Sequence, residues 1–328
     1  MNKLYKILFF NFLLISSMIT VSAYSWLTMW LGIELNLLSM IPIMLKKNNS
    51  YSSEAGMKYF LIQSLASTVL IFSILVMEKK LFNNYLIITI LQCSIIMKLG
   101  MAPFHWWLPE VMEGLSWENC LIMLTWQKLA PLVMLMMTLK NSVLLSMTII
   151  LSSLISGIQG LNQISMRKIM AYSSINHMAW MILSMMSSSW TWMIYFFIYC
   201  VSNFILVWYF KKMKIFYINQ INLIKNKFSK IFILMNFLSL SGIPPMIGFM
   251  PKWLTVHYMI INMNIIMPLI LIISSLMHSY FYIRIIIPSL MMKMKESKML
   301  NQSHSINYNL LMLNFMFIMS LIITNFMF

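Results

Sequence analysis

Apolar stretches of about twenty residues recur along almost the whole chain, separated by short polar connections, and one membrane-crossing helix uses about that many residues. Eleven spans are predicted: Leu4 to Ala23, Trp26 to Leu45, Tyr59 to Met77, Tyr85 to Phe104, Trp117 to Met137, Val143 to Gly160, Ile169 to Met186, Trp190 to Phe210, Ile231 to Trp253, Ile265 to Ile287 and Leu310 to Phe328. The longest connections, Lys211 to Lys230 and Pro288 to Asn309, have room for an amphipathic surface helix but not for a cofactor domain. The first span also resembles a secretory signal peptide, because Lys3 and Lys6 precede an apolar run ending at Val21-Ser22-Ala23. That run is long for a signal and every later segment is itself embedded, so it is read as a retained helix.

Two spans are broken in a similar way. The fourth is interrupted by Lys98-Leu99-Gly100-Met101-Ala102-Pro103 with Pro109 beyond, the ninth by Ser241-Gly242-Ile243-Pro244-Pro245 followed by Gly248 and Pro251; together they hold eight of the seventeen glycines and prolines. Proline removes a backbone donor, so such breaks leave carbonyls that need other partners inside a bilayer. The breaks lie five spans apart, and an odd offset inverts the second copy in the membrane, as in transporters built from inverted repeats. The predicted fold is therefore an all-α polytopic membrane protein forming a single membrane domain. It has two inverted five-helix repeats, about 4–137 and 143–287, plus a terminal helix at about 310–328.

Composition agrees with this reading. Of 328 residues, 61% are hydrophobic and 9% charged, against about 25% charged in ordinary soluble domains, which leaves no room for a soluble catalytic domain. The formal charge of +16 would point to nucleic acid in a soluble protein, but here topology accounts for it. Seventeen Lys and Arg lie towards the N-terminal face and only Lys79, Lys80 and Lys140 towards the other, so the N-terminus is expected inside and the C-terminus outside. The 38 methionines and the excess of Lys over Arg read as AT-rich coding with one isoleucine codon translated as methionine, as in animal mitochondria. Cys93, Cys120 and Cys200 match no spacing for an iron-sulfur cluster, attached haem or disulfide framework.

The remaining lysines, Lys98, Lys128 and Lys252, lie within spans. Lys128 is eleven residues past Trp117, about 16 Å into a core about 30 Å thick, and Glu34 is about 12 Å deep. A charge at such depth costs on the order of 3 kcal/mol, so intramembrane ionisable residues are functional candidates. The alternative for any one of them is a snorkelling or structurally paired side chain, and Lys252, near the predicted end of the ninth span, is the most exposed to it. An amine suits proton transfer because burial favours its neutral form and a neighbouring carboxylate its charged form. His177, about 14 Å deep, is a natural intermediate site, though it could equally satisfy a neighbouring helix. His278 and His257 carry less weight, and His105 and His304 look interfacial.

The stretch Lys98-Leu99-Gly100-Met101-Ala102-Pro103-Phe104-His105-Trp106-Trp107-Leu108-Pro109-Glu110 resembles the signature of the antiporter-like membrane subunits of respiratory complex I and of multi-subunit cation/proton antiporters; Glu34 in Gly32-Ile33-Glu34-Leu35-Asn36 belongs to the same pattern. Thr125-Trp126-Gln127-Lys128-Leu129-Ala130-Pro131 and Gly242 to Trp253 resemble mitochondrial members of that family, in an arthropod-like version. The resemblance implies a subunit of the proton-pumping NADH:ubiquinone oxidoreductase in the mitochondrial inner membrane, N-terminus in the matrix. It implies a relay in which Glu34 pairs with Lys98, Lys128 is central, Lys252 belongs to the second broken helix and His177 lies between. It also implies that this chain binds no redox cofactor or NADH, with NADH, FMN, iron-sulfur clusters and ubiquinone on other subunits. Expected partners are the other membrane subunits of the complex and phospholipid, without which the chain is not stable, and no nucleic acid. Full-length relatives have fourteen helices, so this chain is expected to lack the first three and to turn the uncovered helices towards another subunit. Two readings compete with proton pumping: a self-sufficient cation/proton antiporter, and a structural subunit whose buried charges only set helix packing.

Overall fold

The computed structural model describes residues 4–45, 49–79, 83–139, 143–222, 224 and 227–291, all of them in helices or short connections apart from one isolated bridge. The eleventh predicted span, Leu310 to Phe328, and His304 lie outside the described residues. Among the described residues seven helices are long and apolar enough to cross a membrane, and the chain is an integral membrane protein. It divides at Ser152/Ser153 into two units.

The first unit begins with α1 (Leu4–Ser22), α2 (Trp26–Met44), α3 (Ser50–Lys79) and α4 (Asn84–Leu99). It continues with α5 (Trp107–Gly114), α6 (Trp117–Leu124), α7 (Trp126–Met137) and the start of α8 (Val143–Leu161). Ser25 caps α2 by accepting from the Thr28 N–H at 3.3 Å, and Gly32 lets α2 lie against Thr20 of α1. α1 packs on α2, α2 on α3, and α3 on α4 and α5, while α7 touches α1, α2 and α4. Buried hydroxyls are satisfied within their own helices, as Ser16 Oγ on Leu13 O at 2.9 Å and Ser94 Oγ on Leu91 O at 2.7 Å, which allows them in apolar surroundings.

In the second unit α9 (Met166–Ser187) is surrounded by α10 (Ser189–Met213), α13 (Phe249–Ile261) and α14 (Ile266–Met291). Every residue from Ile169 to Met185 is buried, although Ser173, Ser174, Asn176 and His177 are polar, so α9 is a core helix rather than a lipid-facing one. α12 (Lys227–Ser241) lies against α10 and α14, and the one-turn α11 (Ile218–Asn222) against α14. In the Lys211 to Lys230 connection this single turn lies between the end of α10 and the start of α12; Ser165 and Tyr217 hold the region by an antiparallel bridge.

Two predicted boundaries are corrected. The fourth span stops at Leu99, five residues early, and the chain then forms the separate α5. The ninth is two helices, α12 and α13, so Lys252 lies in the first turn of a new helix and not at the end of an old one. In both cases the backbone meets a glycine in the left-handed region with prolines after it, whereas hydropathy alone runs on across it. The fifth span keeps its predicted bounds, Trp117–Met137, with an interruption at Thr125 between α6 and α7.

Candidate functional site

The first break is a Schellman turn. Gly100 adopts φ +69°, its N–H bonds Met97 O at 3.2 Å, and the Met101 N–H bonds Ile96 O at 3.2 Å. Trp107 seals it: its Nε1 donates to Met97 O at 3.1 Å, and a Cβ on Gly100 would stand 3.0 Å from the indole. Gln63 Nε2 donates to Lys98 O at 3.2 Å, so carbonyls at the end of α4 have partners drawn from α3 and α5. The peptide preceding Pro103 is cis.

This frame buries Lys98 to 5% exposure, with no hydrogen-bond partner for its Nζ among the described residues. Lys98 and Lys128 line one cavity together with Asn36, Tyr59, Gln63 and Gln127. The space open to water centres there is about 20 Å³, enough for a water molecule. Lys128 is buried and follows the interruption at Thr125; Pro131, three residues on, supplies no N–H to the Gln127 carbonyl. Sequence reasoning did not foresee the polar wall of this cavity. Asn36 and Gln127 sit inside the quoted motifs, but Tyr59 and Gln63 carry no signal beyond being polar on an apolar helix.

Glu34 is half-buried on α2 and stands beyond salt-bridge distance of Lys98, so the implied direct pair is not formed. It remains within electrostatic reach of both Lys98 and Tyr59. The ion pairs found among the described residues are at the exposed end of α3, where Lys58 Nζ lies 2.9 Å from Glu54 and 2.7 Å from Glu110 of α5.

The second break repeats the turn of the first. Gly242 adopts φ +77°, its N–H bonds Ser239 O at 3.0 Å and the Ile243 N–H bonds Leu238 O at 3.4 Å; the peptide between Pro244 and Pro245 is cis. Lys252, 7% exposed, donates from Nζ to Ser241 O at 2.7 Å and lies 5.7 Å from the centroid of the Trp180 ring. It is therefore held inside the protein by the break, and the snorkelling alternative does not describe it.

His177 is buried on α9, hydrogen-bonded through Nδ1 to the Tyr195 hydroxyl at 2.9 Å and beside the Tyr199 ring at 5.1 Å. It lines a smaller cavity, about 10 Å³, whose walls include Ser239, Gly248 and Pro251 of the second break. Lys252 is not among the walls of that cavity. His278, given little weight from sequence, is buried on α14 with Nε2 3.1 Å from Ser156 Oγ and 3.3 Å from Ser153 O, within electrostatic reach of Lys252. His257 stacks on Trp253, and His105 is buried, with Nδ1 3.3 Å from Pro103 O. Among the described residues no three metal-ligating side chains cluster.

Two units with glycine-broken helices and buried amines define a class of ion-translocating membrane subunits, and sequence comparison identifies which. The chain belongs to the NADH:quinone oxidoreductase/Mrp antiporter transmembrane family, whose profile matches residues 23–278. Among its relatives, the NADH-ubiquinone oxidoreductase chain 2 of Anopheles gambiae is 44% identical over 295 residues, covering 87% of this chain and 86% of the relative. That of Locusta migratoria is 40% identical over 306 residues, covering 91% and 89%. Both are insect proteins, in agreement with the arthropod-like motifs. A chain of respiratory complex I from Thermus thermophilus shares the fold at a TM-score of 0.86 with 19% identity, over 97% of this chain and 77% of that one.

Proposed function

We infer that the chain is a core membrane subunit of the proton-pumping NADH:ubiquinone oxidoreductase and that its buried amines move protons through the inner mitochondrial membrane. The observation that carries the reading is Lys98 and Lys128 lining one polar, water-sized cavity inside the first unit. Neither amine contributes to folding there at a cost a structural role would justify, since an apolar side chain would fill the same space. In this reading Lys98 and Lys128 exchange a proton through the cavity, and Glu34 biases Lys98 from a distance. Lys252 holds a proton at the second break, with His177 as a further site. Redox chemistry, with NADH, FMN, iron-sulfur clusters and ubiquinone, belongs to other subunits, and partners are those membrane subunits and phospholipid.

The finer architecture is proposed with it: eleven spans, of which ten form two inverted five-helix repeats at about 4–137 and 143–287. Support comes from the two breaks, which share the Schellman hydrogen bonds, a glycine at positive φ and a lysine packed nearby. A self-sufficient cation/proton antiporter is the rival. A bare-cation site calls for several carboxylates, and Glu34 is the only acidic residue placed deep in a predicted span.

The test is Lys128→Met in the whole enzyme reconstituted into vesicles. Proton uptake coupled to NADH oxidation is expected to slow on the order of 100-fold with assembly intact. Normal pumping in the assembled variant would overturn the reading. Cation exchange by the chain purified alone would favour the antiporter.

A further inference from the structure

The wall of the Lys98–Lys128 cavity contains a hydrogen-bonded chain of neutral polar groups. The Tyr59 hydroxyl donates to Gln127 Oε1 at 3.3 Å, and Gln127 Nε2 donates to Asn36 Oδ1 at 2.9 Å. The three residues come from α3, α7 and α2, and Tyr59 is itself buried against Trp107, the residue that seals the first break. Each amide oxygen in the chain accepts from one donor of the chain, and a carbonyl oxygen has two lone pairs, so both can accept once more. Lys98, buried without a hydrogen-bond partner, and Lys128 line the same space, which has room for water.

We propose that the Tyr59–Gln127–Asn36 chain positions the water through which Lys98 and Lys128 exchange a proton, with Gln127 as the central positioning residue; this rests on the relay reading above. A water in the cavity can accept a proton from one ammonium only as it passes a proton to the other amine. Proton number is then conserved, and no hydronium need persist in an apolar surrounding. For that the water's oxygen must face one amine and its hydrogens must be directed. The spare lone pairs of Gln127 and Asn36 take up one hydrogen and leave the other for the acceptor amine. In the arrangement present Tyr59 donates to Gln127 Oε1, which turns Nε2 towards Asn36; because the phenol can also accept, reversing the chain requires both amides to turn together. Glu34, two residues before Asn36 on α2, is the charge nearest to the chain along that helix.

Three variants of the assembled enzyme in proteoliposomes test this. Tyr59→Phe removes one hydroxyl and keeps the packing; Gln127→Leu removes the centre of the chain; Gln127→Glu keeps shape and the acceptor for Tyr59 but adds charge. Tyr59→Phe and Gln127→Leu are expected to slow proton translocation about tenfold at matched NADH oxidation rates. Gln127→Glu is expected to assemble normally and to move the alkaline limit of pumping upward by about one pH unit, because negative charge beside Lys98 and Lys128 retains protons. Where Gln127→Leu does not assemble, Tyr59→Phe carries the test. Wild-type pumping in both Tyr59→Phe and Gln127→Glu, with an unmoved pH profile, would reduce the chain to packing. If Lys128→Met pumps normally the relay itself fails; if only the Tyr59 and Gln127 variants pump normally, the relay stands and this assignment falls.

Discussion

The ammonium of Lys252 donates a hydrogen bond of 2.7 Å to the main-chain carbonyl of Ser241, eleven residues earlier, across the break between α12 and α13. The lysine and the break therefore form one device. Gly242, in the left-handed region, supplies the turn, and a Cβ there would fall 2.8 Å from the Lys252 amine, so the glycine also makes room for the side chain. Trp180 covers the charge from α9 with its ring face, a favourable position for a cation.

Charge alone is thus not what the site requires of Lys252. A guanidinium is longer, planar and always protonated, whereas a relay needs a group that can give up its proton. Lys252→Arg is expected to assemble and to lower proton translocation on the order of 100-fold at matched NADH oxidation. A wild-type proton-to-electron ratio in reconstituted vesicles would remove Lys252 from the relay.

Gly248 has a different constraint. A Cβ at this position would stand 1.7 Å from the carbonyl oxygen of Ser239, a backbone atom that cannot move without undoing the Schellman turn at Gly242. Gly248→Ala is therefore expected to cost at least the 1–3 kcal/mol typical of overpacking, about as much as a marginally stable unit can lose. The measurement is the yield and thermal midpoint of the assembled complex. An unchanged midpoint would mean that α12 and α13 do not approach as closely as the structure has them.

The all-helical, membrane-embedded character of the chain was legible because hydropathy reports which stretches avoid water. The two major breaks were legible because glycine and proline report where a ladder cannot continue. The sequence did not disclose which polar side chains meet. Tyr59 and Gln63 belong to a helix that would look much the same with both replaced by leucine, and only the fold brings them to Lys98. His278 was undervalued for the same reason: its partners Ser153 and Ser156 lie more than a hundred residues away in the chain. The interruption at Thr125 went unnoticed because no glycine or proline stands beside it; Pro131 lies six residues on, inside α7.

Glu34 gives a graded prediction. It exerts its field on Lys98 without touching it, so removing its charge leaves no partner uncompensated at contact distance. Glu34→Gln is expected to assemble and to slow proton translocation less than Lys128→Met does, on the order of tenfold. Pumping rates of the two variants measured side by side decide the matter. Loss of assembly in Glu34→Gln, or a defect as deep as that of Lys128→Met, would mean that Glu34 is either a structural partner or a full member of the relay.

The last prediction concerns sidedness, which the loops constrain within each unit. In an eleven-span chain with the N-terminus in the matrix, the start of α3 and α5 face the matrix, and Lys58 and Glu110 from those places form an ion pair at 2.7 Å. In the second unit the connections around Ser165 and Tyr217 both fall on the matrix side, and these residues bridge; those around Ser187 and Asn262 both fall on the opposite side, and Asn262 Nδ2 donates to Ser187 O at 3.4 Å. Each contact joins connections that the alternating count assigns to one face, and a count wrong by one span between them would separate every pair by about 30 Å of hydrocarbon. By the positive-inside rule the lysine excess then predicts which face is the matrix. A cysteine introduced at Asn219 is expected to react with an impermeant maleimide only from the matrix side, and one at the exposed Met263 only from the other. Reaction of both from one side would break the alternation between α10 and α14, and with it the paired-repeat topology.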